Sequence, residues 1–128
     1  MPKITHIAIY CLDLEKMRMF YEKYFGAKSN EKYINVTKGF ESYFLSLEDG
    51  CALEIMTKLS VKDSPGKEEM LGLTHLAISV GSKAKVDELT ILLEQEGFSV
   101  IGQPRTTGDG FYESVVLDPE NNRLEITV

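Results

Sequence analysis

The sequence predicts an α+β fold built from two β-α-β-β-β modules that form a curved mixed sheet. Three observations support this prediction: an internal repeat, one amphipathic helix in each half, and matching polar residues on matching strands. Residues 5–9 (THIAI) return as residues 74–78 (THLAI), and residues 53–55 (LEI) return as residues 124–126. Residues 40–42 (FES) also align with residues 112–114 (YES). Fragments that recur in the same order at nearly constant spacing indicate a duplicated structural unit.

The first half begins with a strand and a helix. Residues 4–10 alternate like a strand, and Asp13 is a good N-cap for the helix that follows. Apolar residues recur at helical spacing at positions 14, 17, 21 and 24, and Gly26 is suited to end that helix. Three further strands are expected near residues 32–37, 42–48 and 52–57, with a hairpin turn at residues 48–50 (EDG).

The second half follows the same order. A strand is expected at about residues 73–80, and Ser82 is suited to cap a helix. Val86, Leu89 and Leu93 form the apolar stripe of that helix, and Gly97 ends it. Strands follow near residues 98–102, 111–117 and 123–127, and residues 118–122 (DPENN) form the last turn.

The two modules are expected to make a single domain. They span residues 1–57 and 71–128, and the polar segment 58–70, which contains DSPG, is the linker between them. A second loop, residues 105–110 (RTTGDG), has two interpretations, a mobile flap over a site or a plain hairpin connection.

Composition narrows the possible functions. The formal net charge is -6, and the chain has no run of Lys or Arg, so a nucleic-acid partner is not expected. We expect no membrane partner, because no segment reaches the roughly 18 apolar residues of a membrane helix. No apolar segment near the N-terminus has the form of a secretory signal. Cys11 and Cys51 are too few for a disulfide scaffold, so reduced thiols and a cytoplasmic location are expected.

Four polar residues occupy strand positions flanked by aliphatic ones. His6 and His75 are the only histidines, they occupy equivalent positions of the repeat, and Glu54 and Glu125 are equivalent to each other. Because successive strand residues point to opposite faces, Ile7 and the other aliphatic residues would pack on a helix. The four polar residues would then share the concave face of the sheet.

Each of these residues also has a simpler interpretation. A single strand histidine is most often structural, and a single glutamate is most often solvated. Neither explanation accounts for the paired placement. Two carboxylates on one concave face would repel each other, and a divalent cation removes that cost. Two imidazoles and two carboxylates suit Ni²⁺, Co²⁺, Mn²⁺, Fe²⁺ or Zn²⁺, so the sequence predicts a metal-binding cup.

With these residues in place, the whole chain resembles the vicinal oxygen chelate superfamily, which includes glyoxalase I, bleomycin-resistance proteins, fosfomycin-resistance enzymes and extradiol dioxygenases. The resemblance lies in residues 5–9, 12–26 (LDLEKMRMFYEKYFG), 114–119 and 122–126 (NRLEI). It implies one glyoxalase-like domain whose metal ligands are His6, Glu54, His75 and Glu125. The glyoxalase I branch has this combination of His, Glu, His and Glu.

The resemblance also implies an activity, that of a lactoylglutathione lyase-like metalloenzyme. Such an enzyme isomerises a hemithioacetal, formed from methylglyoxal and glutathione or another thiol, to a 2-hydroxyacyl thioester. Glu125 is the first choice for the proton-transferring base and Glu54 is the second. Members of the family usually pair units across a two-fold axis, so a homodimer is expected, with the metal site within one chain or shared between two.

One position departs from the family pattern. Glyoxalase I usually has an arginine four residues after the first histidine, where it meets a glutathione carboxylate, and this chain has Tyr10. Arg105 or Arg18 could replace that arginine. The candidate substrate-binding residues are therefore Tyr10, Arg105 and Tyr112.

Two other functions stay open within the same family. Extradiol dioxygenases bind Fe²⁺ with two histidines and one glutamate, which would be His6, His75 and Glu125, and the additional Glu54 counts against this alternative. Fosfomycin-modifying enzymes also use three ligands. Drug-binding proteins of the bleomycin-resistance type usually lack the ligands, so the full set of four favours an enzyme.

Overall fold

The structure is a computed structural model that describes residues 1–48, 50–64 and 69–128. It contains two compact units, Met1–Ser64 and Pro65–Val128, whose boundary falls within the predicted linker. Of the predicted turn at residues 48–50, Asp49 lies outside the described residues, as do residues 65–68 of the linker. Each unit combines one helix with one mixed sheet, so the predicted α+β class is confirmed.

Unit 1 consists of one helix and five strands. In chain order these are β1 (His6–Tyr10), α1 (Leu14–Phe25), β2 (Lys28–Ser29), β3 (Tyr33–Asn35), β4 (Phe40–Ser46) and β5 (Ala52–Lys58). The sheet order is β1-β5-β4-β2, β3 also pairs with β4, and β1 runs parallel to β5. Strand β2 was not predicted, because two residues are too short to show an alternating pattern.

Unit 2 has the predicted β-α-β-β-β order. Its elements are β6 (His75–Ser79), α2 (Lys83–Gln95), β7 (Val100–Thr106), β8 (Tyr112–Leu117) and β9 (Arg123–Thr127). The sheet order is β6-β9-β8-β7, with β6 parallel to β9. Strand β7 runs four residues further than predicted, so Arg105 and Thr106 belong to it. The loop that follows connects β7 and β8 as a hairpin, in which the Thr107 N–H donates to the Phe111 carbonyl at 2.7 Å.

Both helices begin at the predicted caps. The Asp13 carboxylate accepts the Lys16 N–H at 3.0 Å, and the Ser82 hydroxyl oxygen accepts the Lys85 N–H at 3.2 Å. Such bonds satisfy amides that have no partner within the first helical turn. Helix α1 ends at Gly26, whose φ of +67° is the left-handed conformation that glycine adopts without strain.

The core of each unit lies between its helix and its sheet. Ile55 on β5, and Leu124 and Ile126 on β9, are fully buried on the faces that meet the helices. On α2 the predicted apolar stripe is only partly correct, because Leu89 is half-buried and Thr90 is buried. Thr90 is tolerated there because its hydroxyl bonds to Ser114 at 2.7 Å and to the Val86 carbonyl at 2.6 Å.

Two further predictions concern the cysteines and the membrane. Cys11 is a buried thiol, and Cys51 is a partly buried thiol. Within residues 1–48, 50–64 and 69–128, neither helix combines the length and the apolar character that crossing a membrane requires.

Candidate metal centre

Unit 1 brings its histidine and its glutamate together on one sheet face. The parallel register places His6 beside Ala52 and Ala8 beside Glu54, so the two polar side chains are diagonal neighbours. His6 Nε2 lies 3.7 Å from Glu54 Oε1. The adjacent Ala8 is small, which leaves room on this face for both polar side chains.

Unit 2 repeats this arrangement. Ala77 lies beside Glu125 in the parallel register of β6 and β9, and His75 is again the diagonal neighbour. His75 Nε2 lies 3.1 Å from Glu125 Oε1. The sequence repeat is therefore a repeat of side-chain geometry, in which each unit presents one imidazole and one carboxylate to the same point.

The two pairs are accessible without being fully exposed. The histidine side chains are 43% and 39% exposed, whereas the Glu54 and Glu125 side chains are only 15% and 20% exposed. The second ring nitrogen of each histidine also has a partner. Thr5 Oγ1 lies 3.3 Å from His6 Nδ1, and Thr74 Oγ1 lies 2.9 Å from His75 Nδ1.

The donor chemistry of each pair fits a divalent ion. When Nδ1 carries the proton and donates it to the threonine hydroxyl, the Nε2 lone pair and the carboxylate face each other. Two facing acceptors repel, and a cation that binds both removes the repulsion. With the opposite tautomer, His75 Nε2–H would donate an ordinary hydrogen bond to Glu125 at 3.1 Å, whereas the 3.7 Å between His6 and Glu54 is too long for one. Across the described parts of the chain, no three His, Cys, Asp or Glu side chains form a group that could hold a metal.

This geometry agrees with the comparison to known families. A family model for the Glyoxalase/Bleomycin resistance protein/Dioxygenase superfamily matches residues 3–126. The chain belongs to this superfamily. The predicted resemblance is therefore confirmed at the level of the superfamily.

Known proteins are similar to this chain along nearly its whole length. An uncharacterized protein of Bacillus subtilis (strain 168), YwkD, is 29% identical over 128 residues, which cover 98% of this chain and 96% of that protein. The trypanothione-dependent glyoxalase I of Leishmania major has a TM-score of 0.78 and 22% identity, over 99% of this chain and 86% of that one. Glyoxalase I of Zea mays has a TM-score of 0.78 and 19% identity, and this chain spans only 44% of it. At these identities the solved structures establish the glyoxalase fold alone.

In this superfamily member the surroundings of the first pair are aromatic. Phe44 on β4 is the cross-strand partner of Glu54, and its ring packs edge-on against His6 with ring centroids 5.2 Å apart. Tyr10 lies further along the same face of β1 and is half exposed. The Lys58 ammonium lies 5.7 Å from the centre of the Tyr10 ring.

The surroundings of the second pair are charged, and sequence reasoning missed one of the groups. Glu113 on β8 lies on the same face as Glu125 and forms a side-chain hydrogen bond with it. Burial raises the pKa of Glu113, the hydrogen bond and the negative charge of Glu125 raise it further, and Arg105 lowers it.

The sequence repeat aligned Glu113 with a residue one position away from its structural counterpart in unit 1. Matching FES to YES made Glu113 equivalent to Glu41. In the structure Phe44 pairs with Glu54 and Val115 pairs with Glu125, so Glu113 corresponds to Ser42. Counting back from the matching LEI fragments with strand alternation would have found this register.

The structure does not bring the remaining predicted substrate-binding residues to one place. Arg105 is the cross-strand partner of Glu113 and therefore shares the Glu125 face. Tyr112 lies on the opposite face of β8, where its hydroxyl donates to Asp87 on α2 at 2.6 Å. Arg18 lies on α1, where it forms ion pairs with Glu15 at 3.0 Å and with Glu22 at 2.7 Å.

Proposed function

We propose that this superfamily member is a metal-dependent isomerase of the glyoxalase I type, similar to lactoylglutathione lyase. Its substrate would be a hemithioacetal formed from a small 2-oxoaldehyde and a thiol. The observation that carries the proposal is the duplicated His–Glu pair, in which each imidazole Nε2 faces a carboxylate oxygen. Membership of the superfamily and the glyoxalase fold support it.

The proposed ligands are His6, Glu54, His75 and Glu125, holding one Ni²⁺, Co²⁺, Zn²⁺, Mn²⁺ or Fe²⁺ ion. When bound, the ion would polarise the oxygen atoms of the substrate and stabilise negative charge that develops on them. Thr5 and Thr74 would orient the two imidazoles by accepting the Nδ1 protons, as outer-shell partners of metal ligands usually do.

The chain itself would supply the proton transfer. We propose that the Glu125 carboxylate takes the proton from the thiol-bearing carbon and returns it to the adjacent carbon. The reaction is then an isomerisation in which no atom is gained or lost. Glu125 is the first choice and Glu54 the second, because a further carboxyl group, Glu113, lies on the same face as Glu125. The counterpart of Glu113 in unit 1 is Ser42, which has no carboxyl group.

A homodimer would complete the site. Both histidines lie on strands at the edge of their sheets, β1 in unit 1 and β6 in unit 2. Exposed edges favour pairing with another chain, and two-fold dimers are the commonest oligomers. We propose that His6 and Glu54 of one protomer share a metal with the partner's His75 and the partner's Glu125.

Light scattering at micromolar concentration tests the homodimer. We expect a particle with twice the chain mass of 14.4 kDa. A monomer that still binds the metal would show that the two pairs close on one ion within a single chain.

The activity is tested with metal-loaded protein and methylglyoxal hemithioacetals of glutathione and of 2-mercaptoethanol. We expect a 2-hydroxyacyl thioester from both, with modest selectivity for glutathione because Tyr10 stands where the family usually has arginine. Metal-free protein is the control. Cleavage of a catechol with Fe²⁺ and O₂, without hemithioacetal turnover, would identify a dioxygenase. Tight binding of bleomycin with no turnover would identify a resistance-type binding protein.

A further inference from the structure

Unit 2 has a shallow cavity of about 480 Å³. It lies over strands β7, β8 and β9, and Arg105, Val115 and Arg123 are among its lining residues. Val115 is the cross-strand partner of Glu125, and Arg123 lies beside His75 in the register of β6 and β9. The cavity therefore opens on the sheet face that carries the proposed metal ligands of this unit.

The cavity concentrates positive charge in an acidic chain. The sequence has three arginines against a formal net charge of -6, and two of the three line this cavity. Arg18, the third, is neutralised by Glu15 and Glu22. Among residues 1–48, 50–64 and 69–128, no carboxylate lies within 4 Å of the Arg105 or Arg123 guanidinium. Arg105 acts electrostatically on Glu113, its cross-strand partner, but within the described parts of the chain neither guanidinium is held in a direct ion pair, so both can still donate hydrogen bonds to an anion.

The backbone of β7 is shaped to hold Arg105 in this position. The register between β7 and β8 shifts on both sides of Gly102, and such irregularities redirect side chains. A Cβ atom on Gly102 would lie 3.3 Å from Val115 Cγ2 and 3.6 Å from Arg105 Nη1. The Arg105 guanidinium thus lies over Gly102, and a Cβ at position 102 would be in contact with both Arg105 and Val115.

We infer that this cavity is an oxyanion subsite in which Arg105 and Arg123 bind a carboxylate of the substrate. The planar guanidinium matches a carboxylate in a bidentate fork. A singly charged carboxylate suits the site better than a doubly charged phosphate, because the Glu125 carboxylate lies on the same face, across from the lining residue Val115, and repels added negative charge. Arg123 and Glu125 are successive residues on one strand face, roughly 7 Å apart. A short acidic substrate could therefore reach both.

The identity of the substrate in this inference rests on the proposed function, whereas anion binding can be measured without any turnover. Metal-free protein is titrated with 3-mercaptopropionate, 2-mercaptoethanol and inorganic phosphate while NMR follows the Nε–Hε signals of the three arginines. We expect 3-mercaptopropionate to shift the Arg105 and Arg123 signals saturably, 2-mercaptoethanol to shift neither, and Arg18 to stay unchanged. Equal shifts at all three arginines, or none, would overturn the subsite. Tighter binding of phosphate would overturn the assignment to carboxylates.

Substitutions make the test specific. Arg105→Gln should weaken 3-mercaptopropionate binding roughly ten- to a hundredfold, the usual effect of losing a hydrogen bond to a charged group. Arg123→Lys keeps the charge but loses the fork, and should also weaken binding. The matched control, Arg18→Gln, removes the same charge away from the cavity and should leave binding unchanged. If it weakened binding as much as Arg105→Gln, net charge rather than a site would be responsible.

Turnover then separates the two proposals. Wild-type protein should favour the hemithioacetal of 3-mercaptopropionate over that of 2-mercaptoethanol, and Arg105→Gln should remove the preference. Equal turnover of both by the wild type would exclude the cavity from the reaction and overturn the inference. Anion binding without any hemithioacetal turnover would retain the subsite and reject the proposed isomerase.

Discussion

The two units carry the same His–Glu pair in different surroundings. Beside His6 the parallel partner is Ala52, and beside His75 it is Arg123. Across from Glu54 and Glu125 stand Phe44 and Val115, respectively. The repeated groups are those that a metal ion would require in both units. Under the proposed function the groups that differ would contact the substrate, since a substrate without two-fold symmetry needs different neighbours at its two ends.

The surroundings of the two pairs differ in polarity. Unit 1 surrounds its pair with aromatic and apolar groups, including Phe44 and Tyr10, whereas unit 2 surrounds its pair with Glu113, Arg105 and Arg123. If the two pairs share one metal ion as proposed, these surroundings would suit a substrate with an apolar end and an acidic end. Matched substitutions in the two units are therefore expected to change turnover and stability unequally.

The largest unequal effect is expected from the two glutamates. Glu125→Gln should lower turnover by roughly 10²–10⁴-fold, because an amide cannot accept the proton, and Glu54→Gln should lower it less. Turnover is measured per bound metal ion, so that lost metal is not counted as lost chemistry. Glu88→Gln, on the exposed side of α2, makes the same change outside the site and serves as the control. A larger loss for Glu54→Gln would identify Glu54, in unit 1, as the proton-transferring base.

Metal affinity should fall by a similar factor when the histidine of either unit is replaced. His6→Ala and His75→Ala each remove one imidazole, and each should weaken metal binding at least tenfold, since losing even an outer-shell partner typically costs about 10–100-fold. Affinity is measured by competition with a chelator, and circular dichroism verifies the fold. If His75→Ala released the metal and His6→Ala did not, the two pairs would not share one ion.

Substitutions on the helix side of the sheets, where the units also differ, should have a smaller effect, and it should be on stability. In unit 1 the Tyr43 hydroxyl donates to Glu15 at 2.9 Å, and Lys32 lies 3.3 Å from the same carboxylate. Burial raises the pKa of Glu15, but the hydrogen bonds of Tyr43, Lys32 and Arg18 together lower it below its ordinary value. In unit 2 the strand position equivalent to Tyr43 is Ser114, which bonds to another uncharged residue, Thr90 on α2.

The sign of the resulting pH dependence follows from the lowered pKa. Glu15 binds fewer protons in the folded state, so its contribution to stability is present above its unfolded pKa and is lost as pH falls through the folded one. Glu15→Gln should therefore reduce the free energy of unfolding at pH 7 by at most about 1 kcal/mol, as for other exposed ion pairs. The difference from wild type should vanish in acid. Urea unfolding followed by circular dichroism measures both, with the exposed Glu31→Gln as the control.

Much of this architecture could be predicted from local patterns. The caps Asp13 and Ser82 and the helix-ending Gly26 act within one turn of helix, so the sequence alone locates them. Strand alternation likewise placed His6 on the face opposite Ile7, and Glu54 on the face opposite the buried Ile55. These predictions succeeded because each depends on neighbours within a few residues.

The errors arose where pairing between strands decides the outcome. The one-residue slip that hid Glu113 came from a sequence match, whereas the register is set by hydrogen bonding between β8 and β9. Strand β7 extends to Thr106 through two irregularities that alternation does not reveal. Thr90 is buried because Ser114 on another strand satisfies its hydroxyl. No local pattern contains these partners.

Metal binding by the wild-type protein tests the central claim most directly. The folded protein is equilibrated with excess Ni²⁺, Co²⁺ or Zn²⁺, dialysed, and analysed for metal by mass spectrometry. We predict roughly one ion for each set of two imidazoles and two carboxylates, His6, Glu54, His75 and Glu125. Protein that remains well folded by circular dichroism yet stays metal-free with all three ions would contradict the account.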